Sequence, residues 1–429
     1  MKEDRQAMDI QDSPLARSDR VMDLGAGSAL LLRNARILDV QEGTLQPGSV
    51  LIENGIIRSI HVGGPQPPVG SHVCVLDLEG RVVMPGLMDL HAHPMGRDIN
   101  GPFRGSLSID EGVKLFRAAA GLSRTLEAGF TTIRCVGHGT AEHFEQLKAA
   151  LALGLIKGPR MLTCGWIISP SGAERYRGLP YEWMEEWKLG AAFADGVDAC
   201  RQMVRRNFGL GADFIKMYMA AGEGRSRYTL EEVRAITDEA HCSGKRVAAD
   251  TSGEDNVRRA IEGNVDTIEH GVGATRELLE KMAERGIFLT PTLSVFNHVE
   301  RMYPPLRAKY DEEGQWKGPG KSFGERQAEM VLVAQAAGVK ITCGIDSDCD
   351  AGDNAEELVH LVDAGLSPQK AIAAATRVSA EALGLDDRLG QVRQGFLADL
   401  VIVNASPLED IRSLQQPENI WRILRSQAS

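Results

Sequence analysis

Val82–Met95 reads VVMPGLMDLHAHPM. Apolar residues climb into the Pro85-Gly86 turn, a short apolar run follows, and its end carries His91 and His93 with one residue between them. Side chains alternate faces along a strand, so residues two apart point the same way. Two imidazoles on one face at a strand end can share one divalent ion such as zinc. The alternative is a pair of surface histidines beside a turn, and the rest of the chain decides between the two.

From this strand to about Leu385, apolar β-branched runs alternate with amphipathic helical stretches. The runs Gly86–His91, Thr131–Val136, Arg160–Trp166, Asp213–Tyr218, Arg246–Asp250, Val265–His270, Ile287–Thr292 and Lys340–Asp346 are predicted strands. Helices are predicted between them, for example Leu230–Cys242, stopped by Gly244, and Glu254–Glu262. This is an α/β class sequence, and eight strands with eight helices predict a closed (β/α)8 TIM barrel. An open doubly wound sheet is the less favoured alternative, because no glycine-rich phosphate turn follows a strand. Upstream, Leu30–Leu32, Ile37–Val40, Ser49–Ile52 and Ile56–Ile60 read as short strands, with a turn at Glu53-Asn54-Gly55. Downstream, Gly390–Asn404 reads as a turn and strand, and 411–429 holds one more. The expected organisation is a mobile tail over 1–28, a small β-sandwich from 29–84 and 386–429, and the barrel over 85–385.

The 429 residues suffice for a large core, and 43% hydrophobic with 25% charged residues is an ordinary globular balance. A net charge of -11 argues against a nucleic-acid partner. The polar first residues lack a secretory apolar run, and no later run is long enough to cross a membrane. Seven scattered cysteines without a close pair read as reduced thiols. The expectation is a cytoplasmic protein acting on a small molecule, with no nucleic-acid or membrane partner, as a homo-oligomer.

Barrel enzymes carry their chemistry at the C-terminal strand ends. The first strand ends in His91 and His93, the fourth carries Lys216, the fifth ends in Asp250, the sixth in His270 and the eighth in Asp346. Each has an ordinary explanation: a snorkelling lysine, a satisfied core histidine, a helix-capping aspartate. Six such residues converging on one mouth are hard to assign that way. Between Ile215 and Met217, Lys216 is expected to be buried, and a buried amine loses its proton readily. The neutral amine can add carbon dioxide to become an anionic carbamate.

PGLMDLHAHP, GADFIKMYM, TIEHG and GIDSD, in this order, resemble the metal-dependent amidohydrolase superfamily. The nearest branch carries a carboxylated lysine and includes prolidase-like peptidases, arginine carboxypeptidase-like enzymes and ochratoxinase. The resemblance spans about Leu30 to Val403. It implies two divalent ions, zinc first, with manganese or cobalt as alternatives. His91, His93 and Asp346 would hold one ion, and carboxylated Lys216 would bridge to a second held by Asp250 and His270. The fifth strand departs from the pattern: VAADTSG places Asp250 where the branch has a histidine. His241, on the preceding helix, is expected to be structural.

The implied reaction is hydrolysis of an amide by metal-activated hydroxide, with Asp346 shuttling the proton and Lys216 and His270 completing the catalytic set. Substrate contacts are expected from the loops after the strands: Trp166, Arg175 and Tyr176 after the third, Tyr218 after the fourth and His298 after the seventh. Ser169, His138, His143, Phe296, Arg301 and Tyr303 are further rim candidates. The expected substrate is an N-acyl amino acid, a dipeptide or a xenobiotic amide. Alternatives are a carbamate, urea or cyclic amide hydrolase, a deaminase, or a barrel that binds a ligand without turnover.

Overall fold

A computed structural model describes residues 20–63, 70–96, 110–171, 191–219, 228–302, 321–348 and 352–427. Two compact units emerge, one of Met1–Met88, Glu127–Thr131 and Ser367–Ser429, the other of Asp89–Leu126 and Thr132–Leu366. Each is built by a different periodicity.

The first unit carries one eight-stranded sheet. Its order is Val21–Leu24, Ile420–Ser426, Leu400–Val403, Val82–Pro85, Ala29–Asp39, Thr44–Glu53 and Ile56–Val62, with Cys74–Asp77 added beside Ala29–Asp39. Period-two alternation sorts the side chains by face. Leu30 and Leu32 join a core with Val50, Ile52, Leu400 and Leu424, whereas Leu31 packs with Val73 and Val75. The two short strands expected at Leu30–Leu32 and Ile37–Val40 are one long strand. A bulge between Leu32 and Ala35 carries the ladder past the polar Arg33-Asn34 pair, with Asn34 at φ 54°. At the hairpin where Glu53 pairs with Ile56, Asn54 and Gly55 both have positive φ. That is the mirror-image turn which matches strand twist. A Cβ on Gly55 would lie 2.5 Å from Ser426 Oγ.

Two expectations need correction here. Residues 21–24, expected within a mobile tail, form a strand instead, because Val21–Leu24 pairs in parallel with the C-terminal strand. Its apolar residues supply an edge partner that the polar surroundings hide in the sequence. The C-terminal share of this unit also begins at Ser367 rather than 386, and takes in the helices Pro368–Ala374 and Arg377–Leu383. Met88 N donates to Ala375 O at 2.7 Å across that segment.

In the second unit strands and helices alternate. Helices Leu230–Cys242 and Glu254–Glu262 lie where expected, the first opened by a capping box of Thr229 and Glu232. A four-stranded sheet runs Ser347–Asp348, Leu87–His93, Phe130–Cys135, Arg160–Thr163. A six-stranded sheet runs Ala191–Phe193, Ile167–Ser169, Ile215–Tyr218, Val247–Ser252, Thr267–Val272, Phe288–Thr290. Neighbours in the six-stranded sheet are all parallel. Backbone bonds continue beyond the sheet edges, from Asp213 N to Thr163 O (2.7 Å), Thr342 N to Leu289 O (2.8 Å) and Leu90 N to Cys343 O (2.8 Å).

The expected strand Arg160–Trp166 is cut at Thr163, and Ile167–Ser169 forms a separate strand. Gly165, at φ 66°, turns the chain between them, and a Cβ there would meet Asn207 Oδ1 at 2.9 Å. The expected strand Lys340–Asp346 is reduced to a single parallel bridge at Ile341. Its backbone divides its bonds between Leu289 on one side and Leu90 and His91 on the other.

Candidate metal centre

Every residue of Leu87–His93 is buried, and the period of two puts Asp89, His91 and His93 on one side. Asp89 accepts from His91 N (2.9 Å), Ile345 N (3.2 Å) and Asn354 Nδ2 (2.7 Å). One carboxylate thus holds the end of the histidine strand against the segment that delivers Asp346. Burial pushes the Asp89 carboxyl up to about 6. His91 Nε2 and His93 Nε2 both face Asp346 Oδ1, at 3.3 and 3.0 Å. Asp346 N donates to His91 O at 2.9 Å.

A second group shares His91. Asp250 Oδ2 lies 3.3 Å from His270 Nε2 and 3.3 Å from Lys216 Nζ. The rings of His91 and His270 are 4.9 Å apart. Lys216 is 1% exposed, and among the described residues its Nζ has no hydrogen-bond partner, Asp250 being met as an ion pair. Burial disfavours the Asp250 carboxylate, but His270 and Lys216 beside it outweigh burial and hold it well below the usual range. Burial likewise works against a charged His270, and Asp250 outweighs it and raises the imidazole. His91, desolvated and near Lys216, is pushed down to about 3, so its ring is neutral and fit to be a ligand.

Each histidine is anchored through Nδ1. His93 Nδ1 donates to Gly137 O (3.1 Å), and His91 Nδ1 meets Glu269 Oε2 (2.7 Å). His270 Nδ1 meets Thr292 Oγ1 (2.7 Å), whose own hydroxyl donates to Pro291 O. All three Nε2 atoms therefore face inward. His138, His270, Thr292 and Asp346 have left-handed backbones, with φ from 53° to 67°. Conformations this uncommon for non-glycine residues gather where strand ends must re-aim side chains.

Two donor sets result, His91/His93/Asp346 and His91/Asp250/His270, the atoms of each within 4.8 Å of one another. Tetrahedral zinc with bonds of ~2.0–2.1 Å has ligand-to-ligand edges of about 3.3 Å, and the 3.0 and 3.3 Å separations around Asp346 match. Two imidazoles and a carboxylate suit zinc, manganese or cobalt, so the residues fit a divalent ion.

The remaining candidates are spread more widely. Tyr218 pairs in register with Asp250 and packs against Val136, Cys164 and Ile167, beside the centre. Trp166 is buried, its backbone clamped on both sides by the Asn207 side chain, and Ser169 is fully buried. The His138 ring stands edge-on to His93 at 4.2 Å, and Phe296 edge-on to His270 at 5.7 Å. His298 shares the helix of Phe296. His143 closes a capping box with Thr140, a structural task. His241 is structural as expected, bonded to Asp266 at 2.9 Å. Arg175, Tyr176 and Tyr303, and the side chain of Arg301, lie outside the described residues. Sequence reasoning overlooked Glu269, Arg134 and Asp89. The one available signal was a lone charge inside an apolar run, as in TTIRCV and LMDL.

The helix Leu293–Met302, which carries Phe296, is pinned by a buried carboxylate. Glu357 accepts from Leu293 N (2.9 Å), Ser294 N (2.8 Å) and Ser294 Oγ (2.8 Å). Burial raises its carboxyl from 4.5 to about 7. Because the folded value lies above the unfolded one, its stabilisation is full below pH 4.5 and is lost as pH rises through 7. The melting temperature of the parent minus that of Glu357→Gln is expected to shrink between pH 5 and 8. A difference independent of pH would show that Glu357 stays ionised throughout.

Comparison with known proteins bears on this centre. The model of the amidohydrolase family matches residues 82–424. Ochratoxinase of Aspergillus niger is 29% identical over 369 residues, covering 80% of this chain and 74% of that protein. The crystal structure of an amidohydrolase superposes with a TM-score of 0.80 at 29% identity, covering 94% of this chain and 100% of that one. That of a Xaa-Pro dipeptidase with methionine bound in its active site gives 0.79 at 28% identity, covering 93% and 98%.

Proposed function

The chain belongs to the amidohydrolase family and is a hydrolase of carbon–nitrogen bonds, and we propose that it cleaves the amide of an N-acyl amino acid, a dipeptide or a xenobiotic. The observation that carries this reading is the convergence of His91 Nε2 and His93 Nε2 on Asp346 Oδ1. Similarity to a Xaa-Pro dipeptidase and to ochratoxinase supports an amide over a carbamate, urea or cyclic amide. The alternating unit is read as a closed (β/α)8 barrel, supported by the bonds from Asp213 to Thr163, Thr342 to Leu289 and Leu90 to Cys343. The eight-stranded unit is read as its β-sandwich companion. The site of action is read as cytoplasmic, which the free described cysteines support; no described helix is long and apolar enough to cross a membrane.

His91, His93 and Asp346 would hold one divalent ion, and His270 with Asp250 a second. Zinc is favoured, with manganese or cobalt as alternatives. When bound, such ions supply Lewis acidity toward water and the scissile carbonyl. Asp346 would take the proton of the attacking water at Oδ and return it to the departing amine. The buried Lys216 Nζ, without a hydrogen-bond partner among the described residues, is read as carboxylated, which turns an uncomfortable cation into an oxygen donor between the two groups. Asp250, in place of a histidine, adds negative charge and favours a harder second ion.

The test is turnover with metal analysis. Protein prepared with zinc or manganese and bicarbonate is assayed on N-acyl amino acids, Xaa-Pro dipeptides and aryl amides, beside carbamates and ring amines. Amide cleavage lost on chelation and restored by metal is expected. Cleavage that survives complete metal removal, or ammonia released only from ring amines, would overturn the reading.

A further inference from the structure

Beneath the two ligand groups lies a buried ionic chain that the reaction described above does not use. Glu269 is fully buried. Its Oε1 accepts from Arg134 Nη2 at 2.5 Å, and its Oε2 meets His91 Nδ1 at 2.7 Å. Arg134 is itself held on several sides: Nε donates to Leu90 O (2.7 Å), Nη1 to Thr267 Oγ1 (2.9 Å) and Nη2 also to Thr290 Oγ1 (3.4 Å). A guanidinium tied to this many strands cannot swing away from Glu269. A buried carboxylate paired with a fixed arginine stays ionised, and an ionised carboxylate only accepts hydrogen bonds. The His91 proton must therefore sit on Nδ1, leaving the Nε2 lone pair for the ligand groups.

The three histidines are not equivalent in this respect. His93 is backed by the neutral carbonyl of Gly137 and His270 by the neutral hydroxyl of Thr292. His91 alone among them is backed by an anion, and His91 alone belongs to both ligand groups. A carboxylate behind an imidazole fixes its tautomer and makes its other nitrogen more basic.

We propose that Glu269, held by Arg134, is a positioning residue that locks His91 as the Nδ1–H tautomer and makes His91 Nε2 the strongest metal-holding nitrogen of the centre. The inference rests on the metal-dependent reading above. The bland alternative is a buried ion pair that stabilises the strands and leaves metal binding alone.

Glu269→Gln separates the two. The amide keeps the size but can donate to His91 Nδ1, which moves the ring proton to Nε2 and blocks the lone pair. Zinc titrated into the metal-free parent and variant, with folding followed by circular dichroism, is expected to show a loss of affinity of roughly 10–100-fold at unchanged fold. A folded variant with the parent's zinc affinity would overturn the proposal. Should the variant not fold, nitrogen-15 correlation spectra of the metal-free parent decide, since a proton on His91 Nε2 is incompatible with the proposal. A parent that binds no zinc while its His91 carries Nδ1–H would count against the metal-dependent reading and leave the tautomer lock in place.

Discussion

Changing His91 and His93 together to alanine is expected to abolish amide hydrolysis and remove most of the bound metal. Both Nε2 atoms of the first ligand group disappear, and His91 is also the member shared with Asp250 and His270. The loss in kcat/KM should exceed the ~10²–10³-fold that follows removal of a single preorganised transition-state partner, because the whole electrophilic centre goes with the ligands. The fold should persist. Both side chains sit at a strand end, and the core of the strand is made by Leu87, Met88, Leu90 and Ala92. The check is metal content by mass spectrometry beside turnover and the circular dichroism spectrum. A double variant that hydrolyses substrate at the parental rate would place the centre elsewhere.

Lys216 should be nearly as sensitive, and its variants separate two chemistries. As a carbamate, the residue supplies anionic oxygen; as an ammonium, it supplies a cation to Asp250, 3.3 Å away. Lys216→Ala removes both and is expected to cost roughly 10²-fold or more in kcat, on the scale of lost electrostatic partners at a reacting centre. If the carbamate is the working form, short carboxylic acids at high concentration should restore part of the rate in Lys216→Ala. Lys216→Arg should stay inactive, because a guanidinium keeps the charge and cannot be carboxylated. The opposite pattern, an active Lys216→Arg with no rescue by acids, would assign Lys216 as a permanent cation paired with Asp250. An unmodified mass for the metal-loaded parent in native mass spectrometry would point the same way.

The neighbourhood of the histidine strand was legible in the sequence because its information is local. Period-two spacing alone puts His91 and His93 on one face, and Thr229 with Glu232 marks where the helix ending at Cys242 begins. Strand ends in a parallel β/α alternation gather at one side, so Lys216, Asp250, His270 and Asp346 could be nominated from their positions in their runs. Arg175 and Tyr176 were nominated on weaker grounds, as charged or aromatic residues in a loop, and such grounds fix no geometry.

Tertiary structure decided the pairings. Asp89 reaches Ile345 and Asn354, 256 and 265 residues away, and Glu269 reaches Arg134 and His91, 135 and 178 residues away. Nothing in a run of apolar residues says which distant buried charge will neutralise a lone arginine or glutamate. That depends on strand register and on the left-handed turns that aim His270 and Asp346. The same dependence reduced the expected eighth strand to one bridge, since its backbone divides its hydrogen bonds between strands on either side. Local spacing nominated the residues of the candidate centre. Which of their nitrogens are bonded behind the ring, and which turn toward Asp346 and Asp250, follow from contacts that exist only once the chain has brought remote strands within hydrogen-bonding distance.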